Sequence, residues 1–442
     1  MELFDIHLID ISSFCCNKRK QKQGQLRLKM IQTLNQSRCI VCNSSFFLVK
    51  KTIFEFKFKL TIHMNFNLSE EHIMIRDAAR DFAKTELLPG VIERDENQSF
   101  PAEQIKKLGE LGFMGMMVDT KYGGAGMDTI SYVLAMEELS KVDASASVVV
   151  SVNNSLVCWG LEKYGTDEQK LKYLTPLAKG DIIGAFCLSE PEAGSDATSQ
   201  QTTAIDMGDH YLLNGTKNWI TNGNTASVYL VIAQTNAEKG HRGINALIVE
   251  KGMPGFEVGV KENKLGIRGS DTHSLLFNDV KVPKENRIGD DGFGFKFAMS
   301  TLSGGRIGIA AQALGIASGA YELSLEYSKQ RKAFGKPISE HQAIAFKLAD
   351  MATEIEAARL LCLKSAWLKD NKMKFDKESA MAKVFASEVA MKTTTEAVQI
   401  HGGYGFVKEY HVERLMRDAK ITQIYEGTSE IQRIVISRSI IK

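Results

Sequence analysis

The chain has 442 residues, 24% charged and 44% hydrophobic, which is long enough for two or three domains with substantial cores. Its net charge of +2 is unevenly spread, since residues 1–63 hold 11 Lys and Arg against 4 Asp and Glu, leaving the remainder acidic by 5. An acidic body offers no field for nucleic acid, and no run approaches the ~18 consecutive apolar residues of a membrane helix, so neither nucleic-acid binding nor membrane insertion is expected.

The first 63 residues do not match the rest. Basic runs such as Lys18-Arg-Lys20, the alternation Phe54-Glu-Phe-Lys-Phe-Lys59 and four cysteines occur without caps or sustained periodicity, so no fold is assigned. Cys39 and Cys42 have the spacing of half a zinc site, but the other half would be the adjacent Cys15 and Cys16, which suit a tetrahedron poorly. No metal is expected. A mitochondrial presequence fits the basic excess and is opposed by Asp5 and Asp10. The body's three cysteines, Cys158, Cys187 and Cys362, are scattered, so it has no disulfide framework and reads as a protein of a reducing compartment.

The body opens with helical patterns. Ser69 is an N-cap, Glu70 and Glu71 suit a first turn, and Ile75, Ala78, Ala79 and Phe82 recur at helical spacing until Pro89. Further helices are expected over Ala102 to Leu111 and Thr129 to Ser140, with the glycine cluster Tyr122-Gly-Gly-Ala-Gly126 between them read as a turn. From about Ile183 short β-rich runs take over: Ala185 to Leu188, Val228 to Ala233, Ala246 to Val249 and Ser274 to Phe277. After Gly292 the helical period returns, as in Ile307 to Lys329 and His341 to Asn371. No Gly-x-Gly-x-x-Gly follows a strand, so a dinucleotide would have to be held without a βαβ fold.

Several stretches carry chemistry. Phe186-Cys-Leu-Ser-Glu-Pro-Glu-Ala-Gly-Ser-Asp196 runs from a strand into a turn that exposes N–H groups and hydroxyls, although the bare pattern also suits any loop. Thr216-Lys-Asn-Trp-Ile-Thr-Asn-Gly223 puts Trp219 and Thr221 two apart on a strand, hence on one face; a lone Trp is otherwise a core residue, the reading kept for Trp159 and Trp367. Arg331-Lys-Ala-Phe-Gly335 offers a bidentate cation for a pyrophosphate, or else a surface ion pair. Finally, Ile421-Thr-Gln-Ile-Tyr-Glu-Gly-Thr-Ser-Glu-Ile-Gln-Arg433 sets Glu426 on a turn between apolar neighbours, where burial would raise its pKa toward that of a useful base. Alone, those few residues of common types favour the reading of an ordinary polar turn.

Taken together, these stretches resemble the acyl-CoA dehydrogenases, from Met64 to the end, and most closely the short-chain branch. The resemblance implies an α+β fold with an N-terminal helical domain (64–182), a middle β domain (183–292) and a C-terminal four-helix-bundle domain (293–442). It places the native start at Met64, so residues 1–63 are expected to be an upstream extension. It implies FAD, lined by Phe186, Leu188, Ser189, Trp219 and Thr221, with Ser195 between FAD and CoA. Family members more often carry Thr where Ser189 stands, and the hydroxyl is retained.

By the same resemblance Arg331, Phe334, Gln342, Gln399, Gly402 and Gly403 grip FAD of a neighbouring subunit in a homotetramer, and Thr428 and Glu430 are further FAD contacts. Ser303, Gly304, Gly305 and Arg306, with Gly427, lie along the acyl-CoA. Isovaleryl and long-chain branches carry the catalytic Glu just before the Arg; Gly305 stands there, which leaves Glu426 as the base. Glu426 would take the α-proton, a hydride would pass to flavin N5, and the ribose of the flavin and the Glu426 N–H would hold the thioester carbonyl. Electrons would go to electron-transferring flavoprotein. The compartment is cytoplasm in a bacterium and mitochondrial matrix in a eukaryote. Rival readings are a branched short-chain dehydrogenase, an oxidase of the same fold and a fold relative that binds without catalysis. Intact mass of the native protein is expected to correspond to a chain beginning near Met64, and a mass beginning near Met1 would remove the extension reading.

Overall fold

The computed structural model of the chain describes residues 67–441. The expectations for Cys15, Cys16, Cys39 and Cys42, for the first 63 residues and for a start at Met64 lie outside the described residues.

Ser69 caps α1 (Glu70–Phe82): its Oγ accepts from the His72 N–H at 3.2 Å, and His72 Nδ1 accepts from the Ser69 N–H at 3.3 Å. The helical layer continues through α2 (Val91–Glu96), α3 (Ala102–Glu110), α4 (Thr129–Val142) and α5 (Ala144–Ser151). A π-helical segment, Val152–Cys158, then leads into α6 (Trp159–Tyr164), α7 (Asp167–Gln169) and α8 (Thr175–Lys179). The π segment frees two fully buried amides. Asn153 Nδ2 donates to the Met114 and Leu177 carbonyls, its Oδ1 accepts from the Gly184 N–H at 3.1 Å, and Asn154 spans Phe113 and Met116 in the same way. Ala144–Tyr164 is long and apolar enough to cross a membrane by length and composition, and nearly all of it is buried in the protein core.

The sheet holds seven strands, β1 (Gly184–Cys187), β2 (Thr203–Asp206), β3 (His210–Thr221), β4 (Val228–Gln234), β5 (Ile244–Glu250), β6 (Phe256–Lys261) and β7 (Thr272–Pro283), in the order β1-β4-β2-β3-β7-β6, with β5 on β4. Four were legible as apolar runs. β2 and β6 escaped because each buries at most one residue, and so neither has an apolar alternation to read. β3 is broken by register shifts against β7, one of them between Lys217 and Ile220, where Trp219 has φ of +57°. Trp219 and Thr221 are therefore separated by a bulge, and simple strand alternation does not set their common face. Beneath this bulge lies a fully buried ion pair. Lys217 Nζ donates to Glu190 Oε1 at 2.6 Å, to the Leu188 carbonyl at 3.1 Å and to Gln200 Oε1.

After the sheet come α9 (Gly294–Gln330), a two-residue hairpin of β8 (Lys332–Ala333) and β9 (Lys336–Pro337), α10 (Gln342–Asp370), α11 (Asp376–His401), α12 (His411–Ile421) and α13 (Ser429–Ile441). α9 would be about 55 Å long at 1.5 Å per residue. Every residue from Ser303 to Ala320 is buried, so α9 is the axis around which the other helices pack. Close approach requires small residues: a Cβ at Gly315 would fall 2.4 Å from the Glu137 carbonyl oxygen of α4. Across the same seam Arg359 of α10 donates to Glu137, and the Asp370 carboxylate accepts from the Thr129 N–H at the start of α4. Trp159 and Trp367, expected in the core, are only half-buried; Trp159 meets Tyr164 edge-on with centroids 6.0 Å apart.

Removing one partner of a fully buried ion pair leaves an uncompensated charge, at a cost of about 3–5 kcal/mol. Lys217→Met is expected to lower unfolding stability in urea by about that amount, whereas substitution of the exposed pair residue Lys172 is expected to change it by under about 1 kcal/mol.

Candidate active site

The site is built on the turn between α12 and α13. Ile424 and Tyr425 N–H groups close back on the Ile421 carbonyl at 2.8 and 3.1 Å, and the chain then enters the left-handed region twice, with φ of +50° at Glu426 and +91° at Gly427. Glycine takes such a conformation freely; a glutamate holds it only where its surroundings over-determine it. Here Gln432 Nε2 donates to the Glu426 and Gly427 carbonyls at 3.1 and 2.9 Å, and Lys383 Nζ donates to the Gly427 carbonyl at 2.7 Å. The backbone of the turn is thereby pinned from α13 and from α11. Among the described residues no acceptor is found for the Glu426 N–H.

The pinned turn aims the Glu426 carboxylate at α9. Its Oε2 is shut off from solvent without a hydrogen-bond partner, and it stands where a side chain on Gly305 would go: a Cβ there would be 2.1 Å from Oε2 and 2.7 Å from Leu156 Cδ2. Gly305 is thus the space into which the acid fits. Burial pushes the Glu426 carboxyl up to about 7, against the pull of Lys383 and Arg306. Lys383, with no exposed surface, is pushed down to about 7 by burial, opposed chiefly by Glu426. Arg306 is likewise lowered by burial, while Asp376 and Glu426 raise it, and its Nε has no partner.

Further along α9 the wall is interlocked. Tyr132 donates to Ser151 Oγ at 3.1 Å, and both press on Gly308; the Tyr425 hydroxyl donates to Gln312 Oε1. At the other side, Ser303 donates to Asp376 Oδ1 at 2.6 Å, and Gly304 is buried on the same turn.

Of the residues expected to line a flavin, Leu188 and Ser189 are brought beside the Trp219 and Thr221 strip, because the Asn218 N–H donates to the Ser189 carbonyl at 2.9 Å and Lys217 holds the Leu188 carbonyl. Trp219 is left 54% exposed, an aromatic face that no core neighbour covers. Phe186 reaches α9 through Phe297, with centroids 6.4 Å apart, about two turns before Gly305. Ser195 is exposed on the turn bridged by Glu190 and Ala193. An open aromatic face beside free edges of backbone fits a planar, aromatic cofactor.

Arg331, Phe334, Gln342, Gln399, Gly402 and Gly403 form a different group, all exposed, with Phe334 97% exposed and the Arg331 guanidinium 5.6 Å from the Tyr404 ring. Among the described residues none of the six hydrogen-bonds to the Glu426 turn. Thr428 caps α13 by accepting from the Ile431 N–H at 3.3 Å, and Glu430 is exposed in its first turn. Sequence reasoning did not single out Lys383, Gln432, Gln312, Tyr132, Ser151 or Leu156. For Lys383 a signal existed: a lysine on the helical stripe of Ser379, Ala382, Ala386 and Ala390, all buried, is a charge on a core face.

Three family models match the chain, for the N-terminal (69–181), middle (185–280) and C-terminal (292–441) domains of acyl-CoA dehydrogenase. The chain belongs to the acyl-CoA dehydrogenase family, whose members are FAD-dependent oxidoreductases. It is 51% identical over 379 residues to the short-chain specific acyl-CoA dehydrogenase of Clostridium acetobutylicum, covering 86% of this chain and 100% of that one. Among solved structures, butyryl-CoA dehydrogenase from Megasphaera elsdenii matches with a TM-score of 0.85 and 51% identity over 86% of this chain and 100% of its own. A chain from a structure of the electron transferring flavoprotein of Acidaminococcus fermentans matches with a TM-score of 0.85 and 53% identity, over 86% and 100% of the two chains.

Because Gly305 is the space that the carboxylate enters, Gly305→Ala is expected to displace Glu426 and to slow turnover about 100-fold, the cost of misplacing a reacting group by about 1 Å. Flavin content, read from absorbance, is expected to be unchanged.

Proposed function

We propose that this enzyme carries out the α,β-dehydrogenation of a short-chain acyl-CoA, butyryl-CoA in the first place, to a trans-2-enoyl-CoA. The observation that carries this reading is a buried, unpartnered carboxylate oxygen on Glu426, raised to about 7 and aimed across Gly305. Such a group is matched to taking a weakly acidic proton at neutral pH. FAD, when bound, supplies the acceptor for the hydride that leaves the β-carbon. Glu426 removes the α-proton, and its own N–H is free to donate to the thioester carbonyl as charge develops there. Arg306, buried beside Glu426 and Asp376, adds positive charge at the substrate edge, along which Ser303, Gly304, Gly305 and Gly427 lie. Leu156, at the same space beside Gly305, presents an apolar surface to the carboxylate.

A short acyl group is supported by the likeness to the short-chain specific and butyryl-CoA dehydrogenases. Phe186, Leu188, Ser189, Ser195, Trp219 and Thr221 would hold the flavin ring, with Thr428 and Glu430 at its edge. Arg331, Phe334, Gln342, Gln399, Gly402 and Gly403, exposed and without a hydrogen bond to the Glu426 turn among the described residues, suit the FAD of a second copy in a homotetramer. Electron-transferring flavoprotein is the proposed electron acceptor, and relatives from bacteria and from mitochondria point to the cytoplasm or the matrix.

Anaerobic titration of the yellow protein tests the reading: butyryl-CoA is expected to bleach the flavin, with isovaleryl-CoA and octanoyl-CoA poorer. Glu426→Gln should retain FAD and bind acyl-CoA yet bleach about 10²–10⁴-fold more slowly, the usual contribution of a general base. Substantial remaining activity would move the base elsewhere. A carboxyl raised to about 7 must lose its proton to act, so the second-order rate constant of bleaching is expected to rise with pH through an inflection near pH 7 that Glu426→Gln lacks.

A further inference from the structure

One buried titratable group is left without a part in this chemistry. Lys383 sits in the middle of α11 with no exposed surface, and its Nζ donates to the Gly427 carbonyl at 2.7 Å. Among the described residues it forms no ion pair. A lysine taken out of water for a single carbonyl is costly, and such groups persist where function needs the charge. The charged groups that face it come from three elements: Glu426 and Glu430 from the turn and the start of α13, both attractive, and Arg306 from α9, repulsive. On its own helix, Asp376 is engaged by Ser303.

We propose that Lys383 is a positioning residue for proton abstraction, holding the carbonyl of Gly427 and supplying the positive charge that stabilises the Glu426 carboxylate. The proposal rests on Glu426 being the base. The hydrogen bond alone does not account for a lysine here, because Gln432 Nε2 already donates to the same carbonyl at 2.9 Å. What glutamine cannot provide is charge, and among the described residues Arg306 is the only other cation acting on the Glu426 carboxyl. Burial drives both Glu426 and Lys383 toward their neutral forms, and each ionised group restrains the other.

The sign follows directly. Removing a cation from beside a carboxylate makes the charged form less favourable, so the Glu426 titration moves to higher pH, by about one unit or more for a neighbour at this range. At pH 7 a one-unit shift from about 7 lowers the ionised fraction, and with it the bleaching rate, about fivefold. Lys383→Gln keeps a donor for the carbonyl and removes the charge, and Lys383→Arg keeps the charge. The titration of the Glu426 carboxyl is read by difference infrared spectroscopy on the FAD-loaded protein, its band assigned by loss in Glu426→Gln. Expected is an upward shift of about one pH unit in Lys383→Gln and little in Lys383→Arg, with bleaching by butyryl-CoA slowed about fivefold at pH 7 and recovering toward pH 8.5. Should Lys383→Gln not accumulate, Lys383→Met carries the same expectation. An unmoved titration, with bleaching slowed equally at every pH, overturns the proposal and makes Lys383 a structural anchor. Wild-type bleaching by Glu426→Gln would instead remove the base assignment, whatever Lys383 does.

Discussion

A carboxylate with one oxygen shut off from water and left without a partner is the constraint around which the site is arranged. Burial favours its protonated form, while Arg306 and Lys383 favour the ionised one, and the balance falls near neutrality. Neither influence acts unless the carboxylate is delivered to a single place. Delivery depends on three elements far apart in the chain: Gly305 of α9 leaves the space, Gln432 of α13 and Lys383 of α11 hold the turn, and the left-handed backbone at Glu426 aims the side chain inward. The strained turn is compatible with stability because hydrogen bonds from two helices over-determine it.

The strip facing the flavin side is held with similar redundancy. β1 begins where Asn153 and Asn222 grip the N–H and carbonyl of Gly184, and it ends where Lys217 and Asn218 hold the carbonyls of Leu188 and Ser189. One of those anchors comes from a π segment inside the helical layer, which turns Asn153 out of regular register so that it can reach the sheet. Helices and sheet are joined again where the Ile267 N–H donates to Asp418 of α12 at 2.5 Å, a few residues before the Glu426 turn. The Glu426 carboxylate carried on the helices and an aromatic wall carried on the sheet are therefore fixed to one framework. Phe297, on the same helix as Gly305, touches the wall at Phe186.

α9 connects these parts because it is buried all round over Ser303 to Ala320. Its small residues let α4 and the Glu426 turn come close, and its polar ones, Arg306 and Gln312, project into the spaces that remain. A helix of this kind cannot be read as amphipathic, since every face meets protein. It gains its place by packing rather than by patterning.

Local signals in the chain determined much. Glu426 stood out only through the family resemblance of the segment from Ile421 to Arg433, while caps and periodicity located the helices at Ser69, Ala102 and Thr129 and apolar runs located four strands. These features depend on neighbours within one or two turns, and so they are written in short stretches. Other features were decided by tertiary structure alone. The strands β2 and β6 exist because partners exist for them, and the bulge at Trp219 arises from pairing with β7. The apolar helix Ala144–Tyr164 is buried because other elements surround it. Lys383 and Gln312 gain their places from contacts with residues 44 and 113 positions away, which no local pattern encodes. The electrostatics of Glu426 belong to this second class, because burial and opposing charge are properties of the assembled interior and not of the residue or its neighbours in sequence.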